Sequence, residues 1–156
     1  MNEINITAEP GTQVIIIKHV FHAPRELVWK ALTDSKIIPQ WWGPEILKTT
    51  VDQLEIKPGG IWRFIQSEPD GTNYGFHGVY HDIIPFQRIV QTFEYEGMPG
   101  HVSLQILNLQ EQDNITEATQ TSIFQSVEDR DEMLNSGMEE GVIESHKRFT
   151  ELLKKL

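Results

Sequence analysis

The chain contains no cysteine. That excludes disulfides, thiol nucleophiles and cysteine-ligated metal sites, and it fits a reducing cytoplasm, where we expect the protein to reside. Positive charge is scarce as well. Against 23 aspartates and glutamates stand 13 lysines and arginines, for a formal net charge of -10. This balance argues against nucleic acid or an anionic membrane as the main partner, because both select basic patches. No apolar run is long enough to cross a bilayer. The N-terminal MNEINITAEPG has neither a basic start nor an apolar core of signal-peptide length. Internal repeats and low-complexity linkers are absent. What remains is a chain of 156 residues, 38% hydrophobic and 23% charged. Residues 1–12 read as an N-terminal extension and 13–156 as one domain. A domain of this size buries roughly 70% of the surface its unfolded form exposes, so it needs no covalent staples.

Strand signals dominate the first two thirds. Gln13 to Phe21 is β-branched and apolar. Pro24 suits the first turn of a helix, and PRELVWKALT offers Leu27, Trp29, Ala31 and Leu32 for burial. A second short helix, SKIIPQWW, is expected to start from a Thr33 or Asp34 cap and to be irregular at Pro39. After Gly43-Pro44 come LKTTVDQLEI, IWRFIQ, Tyr74 to Ile84, Arg88 to Tyr95, His101 to Leu109 and Thr116 to Phe124. Turn residues such as Lys57-Pro58-Gly59-Gly60 and Glu68-Pro69-Asp70-Gly71 separate the first of these. Sequential strands joined by short turns imply an antiparallel meander.

From Ser126 to the C-terminus the pattern predicts one long helix, roughly 40 Å from end to end. Ser126 with Asp129 resembles a capping box, and EDRDE early with Lys154 and Lys155 late matches the helix dipole. Leu134, Met138, Gly141, Val142, Ser145, Phe149, Leu152 and Leu156 fall on one face. The middle of that face is small, and an interior glycine costs roughly 1 kcal/mol relative to alanine. Two explanations are open: close packing of a large sheet residue such as Trp62 or Tyr80, or a hollow between helix and sheet. The sheet offers a matching aromatic face. Tyr74, Phe76, Gly78 and Tyr80 alternate onto one side, as do Trp62 with Phe64 and Phe93 with Tyr95.

Motifs for chemistry are few. His77 and His81 lie on one face of a strand but roughly 13 Å apart, too far to share a metal ion. His19 and His22 straddle a strand end. No HExxH or Gly-x-Ser-x-Gly is present, and Ser103, Ser122 and Ser145 have no recognisable nucleophile context. Pro58-Gly59-Gly60 joins strands and is not a phosphate cradle. Candidates for acid–base work are Arg63, His77, Asp82 and Glu94, but Arg63 and His77 have the parity of the outer, solvated sheet face. We expect no metal site and no cofactor.

The order of elements resembles the helix-grip fold of the START and birch-pollen-allergen superfamily. Four stretches carry a closer resemblance: APRELVWKALTDSKIIPQWWGP, KPGGIWRF, FHGVYHDIIPFQRIVQTFEYEG and FQSVEDRDEMLNSGMEEGVIESHKRFTELL. They look like the activator-of-heat-shock-protein-ATPase homologue-like family of the SRPBCC group, from about residue 13 to 155. The resemblance implies an α+β fold. A curved antiparallel sheet of about seven strands wraps a long C-terminal helix, with two short helices after the first strand and a cavity between helix and sheet. Its walls would be Trp62, Phe64, Phe76, Tyr80 and Phe93 from the sheet and Met138, Gly141, Val142 and Ser145 from the helix. Trp41 and Trp42 would divide their work, one anchoring the short helices in the core and the other at the mouth or over the long helix.

Three functions compete. The leading expectation is a module that binds a small apolar or aromatic molecule. The others are a polyketide-cyclase- or hydrolase-like enzyme and a stress- or chaperone-associated protein-binding module. The family's chaperone-binding domain precedes this module in the eukaryotic activator, and here the chain starts almost at the first strand, so a chaperone partner is not expected. Homodimerisation stays open.

Overall fold

Alternation of apolar and polar side chains every second residue builds most of this molecule. The computed structural model describes residues 3–156. Its strands are β1 (Ile4–Thr7), β2 (Val14–Phe21), β3 (Lys48–Leu54), β4 (Ile61–Ser67), β5 (Asn73–Ile84), β6 (Arg88–Tyr95), β7 (Ser103–Gln112) and β8 (Ile115–Ile123). They form an eight-stranded sheet in the order β1-β2-β8-β7-β6-β5-β4-β3. Every pairing is antiparallel. Strands β3 to β8 make the meander in chain order, and β2 closes onto β8 with Ile17 opposite Gln120. The β7–β8 turn uses Asp113 and Asn114, both at positive φ, as a two-residue hairpin with right-handed strand twist requires.

The sheet has eight strands where about seven are expected. The additional one is β1, which pairs with β2 through Ile4 opposite His19 and Ile6 opposite Ile17. Its four residues lie within the stretch read as an N-terminal extension.

Helix α1 (Arg25–Thr33) follows Pro24 and buries Val28, Trp29 and Ala31. The second short helix is not formed. Only a 3-10 turn, Ile38–Gln40, is present. Pro39 lacks the N–H that a continuing helix needs, and the Asp34 carboxylate accepts from Lys36 N as α1 ends.

The long C-terminal helix is two helices, α2 (Val127–Leu134) and α3 (Met138–Leu153). The break falls at Asn135-Ser136-Gly137, where Gly137 takes φ 85°. That left-handed conformation suits glycine and ends the first helix. Ser136 Oγ donates to Met133 O at 2.6 Å and helps close α2. Leu156, expected on the apolar face, lies beyond α3 and is 40% exposed.

At the start of α2, Ser126 Oγ accepts from Asp129 N at 3.0 Å. We expect Ser126→Ala to cost about 1 kcal/mol in urea unfolding; an unchanged midpoint would show that the cap contributes nothing. Arg130 is buried. Its guanidinium donates to Glu9 O at 2.8 Å, to Thr12 Oγ1 at 3.2 Å and to the Asp131 carboxylate at 2.8 Å. It thereby ties α2 to the segment joining β1 and β2.

The main core lies between the concave sheet face, α1 and α3. Phe21, Val28, Ile38, Trp62, Tyr80, Leu109 and Phe149 are among its buried residues. Trp62 is 1% exposed, and its Nε1 donates to Thr92 O at 3.2 Å. The indole crosses Gly78, where any Cβ would collide with the Thr92 carbonyl and the Trp62 ring nitrogen. No helix is long and apolar enough to cross a membrane among the described residues.

Candidate functional site: a cavity between the sheet and helix α3

Gly141, at the small centre of α3, is exposed and sits at the edge of a hollow. A Cβ added at Gly141 would meet nothing within 4 Å. Close packing of Trp62 or Tyr80 against this glycine is therefore not its explanation. Below it lies a cavity of about 390 Å³. Val28 and Leu32 of α1 bound it on one side and Phe93, Leu107 and Ala118 form part of its floor. Among the described residues, no aspartate, glutamate, lysine or arginine lines it. Its volume is in the range that holds a small organic molecule.

Of the residues expected at the site, Trp41, Trp42, Phe76, Phe93, Met138, Gly141, Val142 and Ser145 are on the cavity wall. Trp62, Phe64 and Tyr80 are not. Trp62 is consumed by packing over Gly78, with its ring tilted against Phe64 at 4.9 Å and Phe93 at 5.8 Å. Phe64 and Tyr80 line a separate hollow of about 100 Å³ behind the tryptophans. Burial raises the pKa of the Tyr80 hydroxyl. A further cavity of about 390 Å³ lies beneath α2 and shares Phe76 and Phe93 with the first.

The paired tryptophans both contribute to the wall, by different routes. Trp41 donates its indole N–H to Ala31 O at 2.8 Å and sets its ring edge on Phe149 at 4.8 Å. It thus joins α1 to α3. Trp42 turns the other way, onto Phe64 at 5.1 Å and Phe76 at 5.2 Å. Gly43 at φ 79° then reverses the chain, and the Gln66 amide occupies the space a Cβ there would need. Arg148 Nη1 donates to Gly43 O at 2.6 Å, and Glu45 N donates to the Glu144 carboxylate at 2.6 Å. These two bonds fasten the tryptophan turn to α3.

Apart from Ser145, sequence reading missed the polar groups of the wall. His19 shares the inward parity of Ile15, Ile17 and Phe21 on β2, and His146 follows Ser145 on α3. Their Nδ1 atoms are 2.9 Å apart. The ring centroids are 5.1 Å apart and the planes differ by 11°. Such a short N···N distance at that centroid separation requires the rings to lie edge to edge, so the contact is an in-plane N–H···N hydrogen bond. His146 is 6% exposed, and its Nε2 has no partner among the described residues. Gln66 Nε2, on β4, is likewise buried without a partner. A buried polar group left unpaired costs roughly 1–3 kcal/mol.

Burial lowers the His19 pKa to about 4, and the neighbouring His146 adds to the effect. Burial also lowers that of His146, against an upward pull from Glu3. Both imidazoles are therefore neutral in the folded protein near pH 7. The unfolded chain takes up protons below about pH 6.5 that folded His19 refuses, so stability falls as the pH drops from 6.5 towards 4. For His19 the loss approaches 1.4 kcal/mol per pH unit, about 3.4 kcal/mol in all. Urea unfolding near pH 7 and pH 5 should show this decline, and His19→Leu should flatten it. Parallel declines in both proteins would contradict the assignment.

The acid–base candidates proposed from sequence lie elsewhere. Arg63 donates Nε and Nη2 to Glu96, each at 2.8 Å, and Nη1 to Asp52 at 3.2 Å. His77 contacts Glu96 at 2.8 Å and Glu94 at 3.2 Å. Asp82 pairs with Arg88 at 3.4 Å. None of these groups lines the cavity. Hydrogen bonds from Arg63 and then His77 hold the Glu96 carboxyl at about 2, so its contribution to stability is lost only as the pH falls from 4.5 towards 2. No cluster of three or more metal-ligating side chains is present among the described residues.

The family model described as Activator of Hsp90 ATPase homolog 1-like protein matches residues 22–154. Several solved structures share the architecture. A crystal structure of a protein from Rhodobacter sphaeroides is 26% identical with a TM-score of 0.90, covering 99% of this chain and 100% of that one. A solution structure from Arthrobacter aurescens is 24% identical with a TM-score of 0.88, covering 99% and 94%. A crystal structure from Mycobacterium smegmatis is 22% identical with a TM-score of 0.86, covering 96% of each chain. No curated protein sequence matches significantly. The α+β, helix-grip-like fold expected from the sequence is the fold observed, with one strand more.

Proposed function

The chain belongs to the activator of Hsp90 ATPase homolog 1-like family, and we propose that this member binds a small, largely apolar molecule between its sheet and helix α3. One observation carries the reading: an uncharged, mostly apolar cavity of about 390 Å³ between the sheet and α3, with the exposed Gly141 at its edge. The aromatic and aliphatic wall supplies the apolar surface such a ligand needs. Trp41 and Trp42 both turn inward and are only partly exposed, which leaves little of the aromatic surface that a protein-binding role at this turn would use.

Titration with the neutral dye N-phenyl-1-naphthylamine tests the reading. Saturable enhancement of its fluorescence with one site per chain is expected. Enhancement that never saturates, or none at all, would contradict it.

The His19–His146 pair favours a second reading, proton transfer on a bound carbonyl compound. An imidazole would take the acidic C–H proton of 2-tetralone as the enolate forms and return a deuteron in heavy water. Exchange lost in His19→Gln and His146→Gln would support catalysis. Exchange at the buffer rate would leave binding as the function.

A further inference from the structure

Three glutamines and a tyrosine form a polar band on the inner face of the sheet. Tyr80 of β5 lies opposite Gln91 of β6, and Gln91 lies opposite Gln105 of β7. Gln120 of β8 is opposite Leu107, one inward position along from Gln105. Strand parity turns these side chains to the same side as the buried Ile89, Leu109 and Ala118. All four line the hollow of about 100 Å³ behind the tryptophans. That hollow adjoins the main cavity, because Leu32, Trp41, Trp42, Leu107 and Gln120 belong to both walls.

We propose that this hollow is the polar subsite of the ligand cavity and takes a neutral hydrogen-bonding group, of the carbonyl or carboxamide kind, on an otherwise apolar molecule. The inference rests on the binding function proposed above and names the chemistry of the molecule bound.

The polar atoms of the band are free to act. Among the described residues the three side-chain amides and the Tyr80 hydroxyl have no hydrogen-bond partner, and none of these atoms is closed off from water-sized space. Packing alone would be served by leucine or methionine, which carry no polar group to desolvate. Each amide presents an N–H or a C=O according to how it turns, so the band can donate to a carbonyl oxygen and accept from a carboxamide N–H. About three waters fill such a volume. A single carboxamide group can take their place and their hydrogen bonds.

Charge selects against an ion. Among the described residues no charged side chain lines the hollow or the main cavity. Burial raises the pKa of Tyr80, which keeps its hydroxyl neutral. A carboxylate would leave water for neutral dipoles alone, in a protein of net charge -10.

Naphthalene, 2-naphthamide and 2-naphthoate share one ring system, and the last two differ chiefly in charge. Titration at pH 7 is followed by NMR of protein labelled with ¹⁵N in its glutamine side chains. The expected order is 2-naphthamide about tenfold tighter than naphthalene, with 2-naphthoate weakest. The amide resonances of Gln91 and Gln105, which line the hollow and not the main cavity, should move with 2-naphthamide far more than with naphthalene. In the triple variant Gln91→Leu, Gln105→Leu, Gln120→Leu the tenfold advantage should vanish while naphthalene still binds; the resonances of the wild-type protein decide the matter if that variant does not fold. Equal affinity of naphthalene and 2-naphthamide, unmoved Gln91 and Gln105 resonances, an advantage that survives in the triple variant, or tightest binding of 2-naphthoate would overturn the inference and leave the binding function standing. No binding of any of the three would overturn both.

Discussion

Replacing Trp62 with alanine is expected to remove about 4 kcal/mol of folding stability. The side chain is 1% exposed and touches Phe64 and Phe93 through their rings. Its loss forfeits that buried area, leaves a void in a close-packed core and frees the Thr92 carbonyl that its N–H satisfies. Gly78 cannot shrink the void by moving, because it belongs to a strand paired on both sides, with β4 and β6. Domains of this kind have only about 5–15 kcal/mol of stability in total, so the variant should be close to unfolding at body temperature. Urea unfolding monitored by far-ultraviolet circular dichroism reads the change. A loss below about 1 kcal/mol would mean that Trp62 is not the centre of the core.

Gly141→Phe should have the opposite profile, with stability kept and binding lost. The added side chain enters space in which a Cβ meets nothing within 4 Å. Replacing an interior helix glycine gains roughly 0.5 kcal/mol from propensity alone. The phenyl ring then takes part of the 390 Å³ that a ligand would use. Affinity for N-phenyl-1-naphthylamine should fall about 100-fold, close to 3 kcal/mol. A variant that melts at or above the wild-type temperature yet binds the dye unchanged would place the dye outside this cavity.

Much of this architecture is legible in the sequence because side-chain parity and turn chemistry are local. The six meander strands, α1 and the Ser126 cap follow from residues within a few positions of one another. The break between α2 and α3 was also written locally, as Asn135-Ser136-Gly137. It was obscured because Leu134 and Met138, four residues apart, continue the apolar stripe across it. Strand β1 has only four residues and forms by pairing with β2, a partner that its own composition does not announce. SKIIPQWW has helical spacing, but the proline limits it to one 3-10 turn.

The site was legible by half for the same reason. The small residues of α3 and the aromatic parity of β5 and β6 indicate a wall on each side. Which aromatics face the cavity depends on sheet curvature, so Trp62, Phe64 and Tyr80 share the inward parity yet point into a neighbouring part of the core. The His19–His146 contact joins residues 127 positions apart. Parity alone would have turned His19 inward beside Ile17 and Phe21, but nothing local pairs it with a helix at the other end of the chain.

The whole account depends on a hollow under α3 that takes up an apolar molecule. Intermolecular NOEs in a complex of the wild-type protein with N-phenyl-1-naphthylamine test this most directly. The account predicts NOEs from the dye to the methyl groups of Val142 and Leu107 and to the indole protons of Trp42, all on the cavity wall. NOEs confined to surface side chains such as Ile46, which is 82% exposed, would contradict it.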